Sequence, residues 1–355
     1  MRIIHTADLH INSPLDTHLS PERVRKRRAE LIATFSRMAE EGARLGVTLF
    51  IIAGDLFDSE SPALSAAEAV LDVIERHPSI DFLYLPGNHE RDALAECGLK
   101  LPKNLKIFDT GWTYFRYGEV TVAGRRALTP DMFDSLTLEG SRLNIAVLHG
   151  SLAGRSSYET VGAKDAADRG LDYIALGHYH AYSTAEIDKG CLAVYSGTPE
   201  GRGFDEAGER GFVLLDTEGG AVRHRFIPFA KRRLNLVRVN ISGVGRRLAL
   251  EERISEALAG IPAEDLVRVI LTGKREAELR FDSEALAERW RGAFFHFELR
   301  DLSRIAISAE DCKYDKSLRG EFTRLCLERD GLSEEDRELI LRTGLAALSG
   351  EHTEI

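Results

Sequence analysis

The sequence predicts a layered α/β fold over residues 1–230, and two observations carry it. Five apolar runs, RIIHTA, VTLFIIAG, IDFLYLP, LNIAVLHG and LDYIALG, are nearly continuous rather than alternating, as strands covered on both faces must be. Between the first two runs, PERVRKRRAELIATFSRMAEEGARLG sets Val24, Leu31, Ile32, Phe35 and Met38 at helical spacing.

The remaining elements follow in chain order. Ser61 and Pro62 read as the N-cap and first turn of a helix after the second strand, and Pro78 follows that helix's end. TYFRYGEVTVAG turns at Tyr117-Gly118, and FVLLDTEGGAVRHRFIPF turns at Glu218–Gly220. Two hairpins add antiparallel strands, so the expectation is a mixed sheet or two stacked sheets. The texture changes at KRRLNLVRVNISG. Residues 231–305 read as a small α+β domain: strand, helix (LALEERISEALAGI), strand (LVRVILTG), then SEALAERWRGAFFHFELR as helix or strand. Residues 306–355 read as a helical tail. Leu318, Phe322, Leu325 and Cys326 stripe one helix; Leu339, Ile340, Ala347 and Leu348 stripe the next, with Ser333 as its cap.

Composition narrows the function classes. A chain of 355 residues with 43% hydrophobic content has room for two domains and a large core. Its net charge of −10, from 47 basic and 57 acidic side chains, excludes a uniformly basic coat, although a local patch can still meet nucleic acid. Cys97, Cys191, Cys312 and Cys326 are scattered without a CxxC, so neither a zinc ribbon nor a disulfide framework is expected. MRIIHTADLH lacks the apolar length of a signal peptide, and no run reaches bilayer-spanning length. The expectation is a soluble cytoplasmic protein with no membrane partner.

The polar residues at the strand ends carry the chemistry. The first strand ends in Asp8 and His10, the second in Asp55, the third in Asn88 and His89, the fourth in His149, and the fifth in His178 and His180. Open α/β sheets place ligands at the carboxyl ends of their strands. A single Asp there is an ordinary helix cap and a single Asn-His an ordinary turn. Five coincidences of type and position point instead to one charged object. Imidazole with carboxylate and no thiolate suits Mn²⁺, Fe²⁺ or Zn²⁺. Seven ligands exceed one tetrahedral site but serve two cations about 3.5–4 Å apart, with Asp55 as the shared carboxylate. In a strand, residues i and i+2 point the same way, so the pairs Asp8 with His10 and His178 with His180 can each send one or both side chains into one cavity.

DLH, GDLFD, GNHE, H and GHYH resemble, in order, the five signature blocks of the calcineurin-like metallophosphoesterases. The resemblance implies a four-layer core of helices flanking stacked mixed sheets. It implies that Asp8, His10 and His180 hold one metal, that Asn88, His149 and His178 hold the second, and that Asp55 bridges. It gives His89 a catalytic role beside the scissile phosphate, donating a proton or hydrogen bond to the departing oxygen. The fourth block is a bare HGS, so His149 rests on its position. IIHTADLHINSPL and IIAGDLFDSESPA are similar to the DNA repair exonuclease branch, the SbcD-like and YhaO-type nucleases. That branch implies a two-metal phosphodiesterase, with Mn²⁺ as the first expectation and Fe²⁺ or Zn²⁺ as alternatives. It implies a nuclease domain over 1–230, a capping domain over 231–305 and a partner-binding tail over 306–355. The partners implied are DNA, an SMC-like ATPase and a second copy of the chain.

Candidate phosphate contacts are Arg23, Arg25, Lys26, Arg27 and Arg28, Arg125 and Arg126, Arg202, and Lys231 to Arg233. A basic run on a helix is more commonly a solvated face. WRGAFFHFELR reads as core of the second domain before it reads as a stacking surface. Two rival functions stand beside the nuclease: a metallophosphoesterase of small phosphoesters or nucleotides, and a non-catalytic scaffold, which would be missing a ligand.

Overall fold

The five apolar runs form strands, and their places in two sheets explain why both their faces are apolar. In the computed structural model the described residues are all except 16–18, 61, 88, 89, 91, 92, 153–159, 277, 278, 306–314 and 350–355. Two units divide between Leu234 and Asn235.

The first unit contains β1 (Arg2–Thr6), β2 (Val47–Ala53), β3 (Asp81–Leu85), β4 (Leu105–Ile107), β5 (Thr113–Tyr117), β6 (Val120–Gly124), β7 (Leu143–His149), β8 (Tyr173–Gly177), β9 (Ser183–Glu186), β10 (Leu192–Tyr195), β11 (Gly211–Asp216) and β12 (Arg223–Pro228). One sheet has the order β12-β11-β1-β2-β3-β4, parallel from β1 to β4, with β11 and β12 antiparallel. The other has the order β5-β6-β7-β8-β10-β9, parallel from β6 to β10 with antiparallel edges. Both sheets are therefore mixed, and each of the two hairpins extends one of them.

Alternation along each strand builds the layers. Ile3, Leu49, Ile51 and Leu83 point between the sheets and meet Val122, Ile145, Val147 and Tyr173. Ile4, Phe50, Ile52 and Phe82 point outward under α1 (Pro21–Arg44) and α2 (Leu64–Glu75), against Phe35, Met38, Val70 and Ile74. Across the molecule, Ala146, Leu148, Ile174 and Leu176 are covered by Met132, Phe133, Ala166 and Leu171. The result is the four-layer core expected from the sequence. One local expectation fails. α2 starts at Leu64 behind Ala63, with no side-chain cap, so Ser61-Pro62 is not its N-terminus. Ser61 itself lies outside the described residues. By contrast, α1 has a side-chain cap: Ser20 Oγ accepts the Arg23 N–H, and Pro21 follows.

His5 joins the two sheets. Its Nδ1 accepts from the Tyr173 hydroxyl at 2.9 Å, and its Nε2–H donates to the Leu176 carbonyl at 3.3 Å. Burial, only partly offset by that carbonyl, holds its pKa down to about 3, so the ring is neutral.

The second unit has a three-stranded sheet of Leu234–Asn240, Leu266–Thr272 and His296–Asp301, with the Leu266 strand central. Helices Arg247–Ala257 and Ser283–Ala287 cover it. Val239, Val269, Leu271 and Phe297 pack against Leu250, Ile254, Leu286 and Trp290. The stretch that reads as helix or strand is both in turn, and its Trp290 and Phe297 are core. In the tail, Ser333 caps Glu334–Ser349 by accepting the Asp336 N–H, as expected. The stripes differ from expectation. Leu318, Leu325, Leu339, Ile340 and Leu348 are exposed, while Cys326, Leu341 and Leu345 are buried. Among the described residues no helix is long and apolar enough to cross a membrane.

Candidate metal centre

The site grows from the loops that follow β1 and β2. These loops run side by side, with the Asp8, His10 and Ile11 N–H groups donating to the carbonyls of Gly54, Asp55 and Leu56 at 3.0, 2.9 and 2.8 Å. Asp8, His10 and Asp55 have φ of 53°, 45° and 50°, and His178 has 103°. Left-handed backbone at non-glycine residues costs about 1–3 kcal/mol each and persists where the surroundings impose it. Two glycines make room. A Cβ on Gly87 would strike the backbone nitrogen and Oδ1 of Asp55, and one on Gly54 would sit on the His149 ring.

Two groups of ligand atoms converge, each within 4.8 Å: Asp8, His10 and His180 in one, and Asp8, Asp55 and His149 in the other. His10 Nε2 and His180 Nε2 face each other at 3.3 Å. His10 Nδ1–H donates to Asp58 Oδ1 at 2.7 Å, and His180 Nδ1–H donates to Glu206 Oε1 at 2.6 Å. With each Nδ1 turned to a carboxylate, both Nε2 atoms point at one place, where a cation could be held. His149 repeats the arrangement. Its Nδ1–H donates to the Ala53 carbonyl at 2.9 Å, and its buried Nε2 has no hydrogen-bond partner and lies 3.3 Å from Asp55 Oδ2. This donor set fits divalent cations.

The electrostatics point the same way. Burial pushes the Asp8 pKa up, with the neighbouring Asp55 adding to it and His149 opposing. Burial lowers that of His149, but Asp55 and Asp8 outweigh it and hold it at about 9. Anions crowded in a dry space call for positive charge.

His178 lies outside both groups. Its N–H donates to Asp8 Oδ1 at 2.9 Å, and its ring stands edge-on to His149 at 5.6 Å between centroids. Asp8 and His10 share one group as their spacing suggested, but the strand reasoning is corrected for His178 and His180. β8 ends at Gly177, and the left-handed turn at His178 sends its ring toward His149 and the His180 ring toward His10. Asn88 and His89 lie outside the described residues.

Several supporting residues escaped the sequence reading. Glu90, fully buried, accepts the N–H groups of Leu56 at 2.9 Å, Gly87 at 3.1 Å and Phe57, clamping the Asp55 loop. Burial raises its pKa to about 7 against those bonds. Burial also opposes ionisation of Glu206, but His180 and Arg202 bring its pKa to about 2. The signal available for Glu90 and Asp58 was their place as the last acids of GNHE and GDLFD. Glu206 comes from a distant loop, and only folding brings it to the histidines; Arg202, expected as a phosphate contact, pairs instead with Glu206 and Asp58.

The basic runs divide. Arg27 is buried against Glu30 at 2.7 Å and Glu200 at 3.2 Å, and Arg232 is buried against Glu30 at 2.8 Å, so neither is available to a ligand. Arg28 donates to the Ser13 carbonyl, and Arg233 pairs with Glu209. Arg25, Lys26 and Lys231 are exposed.

The family described as calcineurin-like phosphoesterase matches residues 1–182, more than half the chain and the span that holds every candidate ligand. The chain belongs to that family. Its members work with paired divalent cations, and the two ligand groups suit such a pair. Among curated relatives, the metallophosphoesterase YhaO of Bacillus subtilis is 25% identical over 244 residues, covering 64% of this chain and 60% of that protein. The DNA double-strand break repair protein Mre11 of Methanopyrus kandleri is 27% identical over 275 residues, covering 68% and 60%. A component of the SbcCD nuclease from Rhodobacter capsulatus is 25% identical over 293 residues, covering 64% and 69%. The match thus spans 60% of the length of the first two relatives.

Proposed function

We propose that this chain is a two-metal phosphodiesterase that cuts DNA. The observation that carries the hydrolase reading is the convergence of imidazole lone pairs and buried carboxylates at Asp8, His10, Asp55, His149 and His180. Asn88 and His178 complete the ligand set in this reading, and Mn²⁺ is the first expectation among Mn²⁺, Fe²⁺ and Zn²⁺. Bound cations supply Lewis-acid polarisation of a phosphate ester and acidify its water nucleophile toward neutral pKa. The chain's own residues do the rest. Asp55 Oδ2 lies 3.3 Å from His149 Nε2 and 3.7 Å from His10 Nε2, Glu90 holds its loop in place, and His89 donates to the departing oxygen. The DNA substrate is supported by the names of the Mre11 and SbcCD relatives.

The test is end-labelled DNA and bis(p-nitrophenyl) phosphate offered to the purified chain with Mn²⁺, beside Asp55→Ala. The expected result is DNA cleavage that requires metal and is lost in the variant. Rapid turnover of the small ester with intact DNA would favour the small-substrate rival. Bound metal with no hydrolysis of either would favour the scaffold.

The tail extends the reading to a partner. Leu318, Leu325, Leu339, Ile340 and Leu348 are exposed on its two helices, an apolar surface suited to another helix. An SMC-like ATPase is the partner expected there, and a second copy of the chain is the alternative. Removing residues 314–355 should abolish capture of an SMC-like ATPase that the full chain binds; capture by the truncated chain would refute the assignment.

A further inference from the structure

We infer that Arg202 is a positioning residue that fixes the imidazoles of His10 and His180 by holding both of their carboxylate partners at once. Its Nη1 donates to Asp58 Oδ1 at 3.2 Å, its Nε and Nη2 donate to Glu206 Oε1 at 3.2 and 2.9 Å, and Nη2 also lies 3.1 Å from His180 Nδ1. Its backbone N–H donates to Glu206 Oε2 at 2.7 Å. One guanidinium therefore spans the carboxylates behind two facing histidines that come from loops 170 residues apart in the chain. The contact is shielded: the Arg202, Asp58 and Glu206 side chains are 18%, 17% and 5% exposed.

Physical consequences follow for the cation site. An ionised carboxylate only accepts, so each brace keeps its imidazole protonated at Nδ1 and leaves Nε2 as the inward lone pair. Without the guanidinium, Asp58 and Glu206 would be two anions behind one small cluster. They would repel each other and be free to rotate toward a cation themselves. The planar fork of Arg matches two acceptors simultaneously, which the point charge of Lys cannot do. The loop that carries Arg202 is itself anchored. Glu200 accepts from Arg27 at 3.2 Å and from the Thr34 hydroxyl at 2.7 Å, both on α1. The brace is thus tied to the helix layer.

The inference rests on His10 and His180 being ligands, as proposed above, but not on DNA being the substrate. The test uses the full chain without DNA: Co²⁺ titrations followed by visible absorption and by metal content, for wild type, Arg202→Gln and Arg202→Lys. Thermal melting of each metal-free protein reports folding. The expected result for Arg202→Gln is that one of two binding steps weakens about 10–100-fold and its Co²⁺ spectrum changes, while the other step stays within about threefold. Arg202→Lys should recover part of the loss. Glu206→Gln should weaken the same step, and it serves the same purpose if Arg202→Gln does not fold. Unchanged binding in a folded Arg202→Gln would overturn the inference. A wild type that binds no Co²⁺ would instead sink the underlying metal reading.

Discussion

His5 and His149 are both buried at the seam between the two sheets, yet they are built for opposite purposes. His5 has both ring nitrogens occupied, by the Tyr173 hydroxyl and the Leu176 carbonyl, and is held neutral. His149 has one nitrogen on the Ala53 carbonyl and the other without a hydrogen bond, aimed at Asp55. Burial is the same for the two; what differs is hydrogen-bond satisfaction. A buried imidazole with both nitrogens satisfied stitches the fold. One whose second nitrogen faces buried carboxylates is held protonated, with its pKa raised to about 9, and a cation must displace that proton.

Asp8 offers the largest break in this contrast, because its carboxylate belongs to both ligand groups. Asp8→Asn should strip cations from both groups and lower phosphodiester turnover by about three orders of magnitude, several kcal/mol at about 1.4 per tenfold. The same change should leave the metal-free protein as stable as wild type or more so. Burial raises the Asp8 pKa, which means that its ionised form is a cost to the empty fold, and Asn keeps an oxygen for the His178 N–H. Metal content, turnover and apo melting together check this. A large fall in apo stability would show that Asp8 belongs with His5 as a structural group.

Much of this site was legible before folding, for a physical reason. A strand buried on both faces must be apolar, so the first Asp, Asn or His after it stands out, as at Asp8, Asp55 and His149. What was hidden depends on pairing across the chain. Nothing in RVRKRR distinguishes Arg27 from Arg25, because the acids that bury Arg27 include Glu200, far along the sequence. The spacing of His178 and His180 looked like strand geometry, but the left-handed φ of His178 separates the rings. The expected stripe of the last helix ran through Leu339, Ile340, Ala347 and Leu348. Leu341 and Leu345 turned inward and left Leu339 and Ile340 outside, a choice made by packing against the neighbouring helix around Phe322 and Gly344.

Gly54 offers a smaller and more local break. A methyl group there would overlap the His149 ring, and the residue sits at φ 95°, where a side chain is strained. Gly54→Ala should cost about 1–3 kcal/mol of stability and disturb the bond from His149 to Ala53. Cation affinity at the His149 group should fall about 10–100-fold, with the His10–His180 group changed much less. Calorimetric titration resolves the two steps. Equal weakening of both would mean that His149 is not oriented independently of the His10 side.

The smallest effect on the site is expected at His5, where the contrast is sharpened by pH. The folded-state pKa of about 3 lies below the ordinary 6.5, so the unfolded chain takes up the proton first as pH falls. The stability cost is absent above pH 6.5, grows as pH drops from 6.5 toward 3, and then levels off. The span corresponds to about 3–5 kcal/mol at about 1.4 per pH unit. His5→Leu should remove that part of the acid slope. At neutral pH it should also lower stability by about 1–3 kcal/mol, since the Tyr173 hydroxyl and the Leu176 carbonyl lose a buried partner. Cation affinity should stay within about threefold of wild type, because His5 presents no lone pair to the site. Urea unfolding of the metal-free proteins from pH 8 to pH 4, with metal titration at pH 7, reads both sides. Parallel stability curves for the two proteins would mean that His5 does not govern the acid response, and lost cation binding would mean that the stitch and the site are one cooperative element.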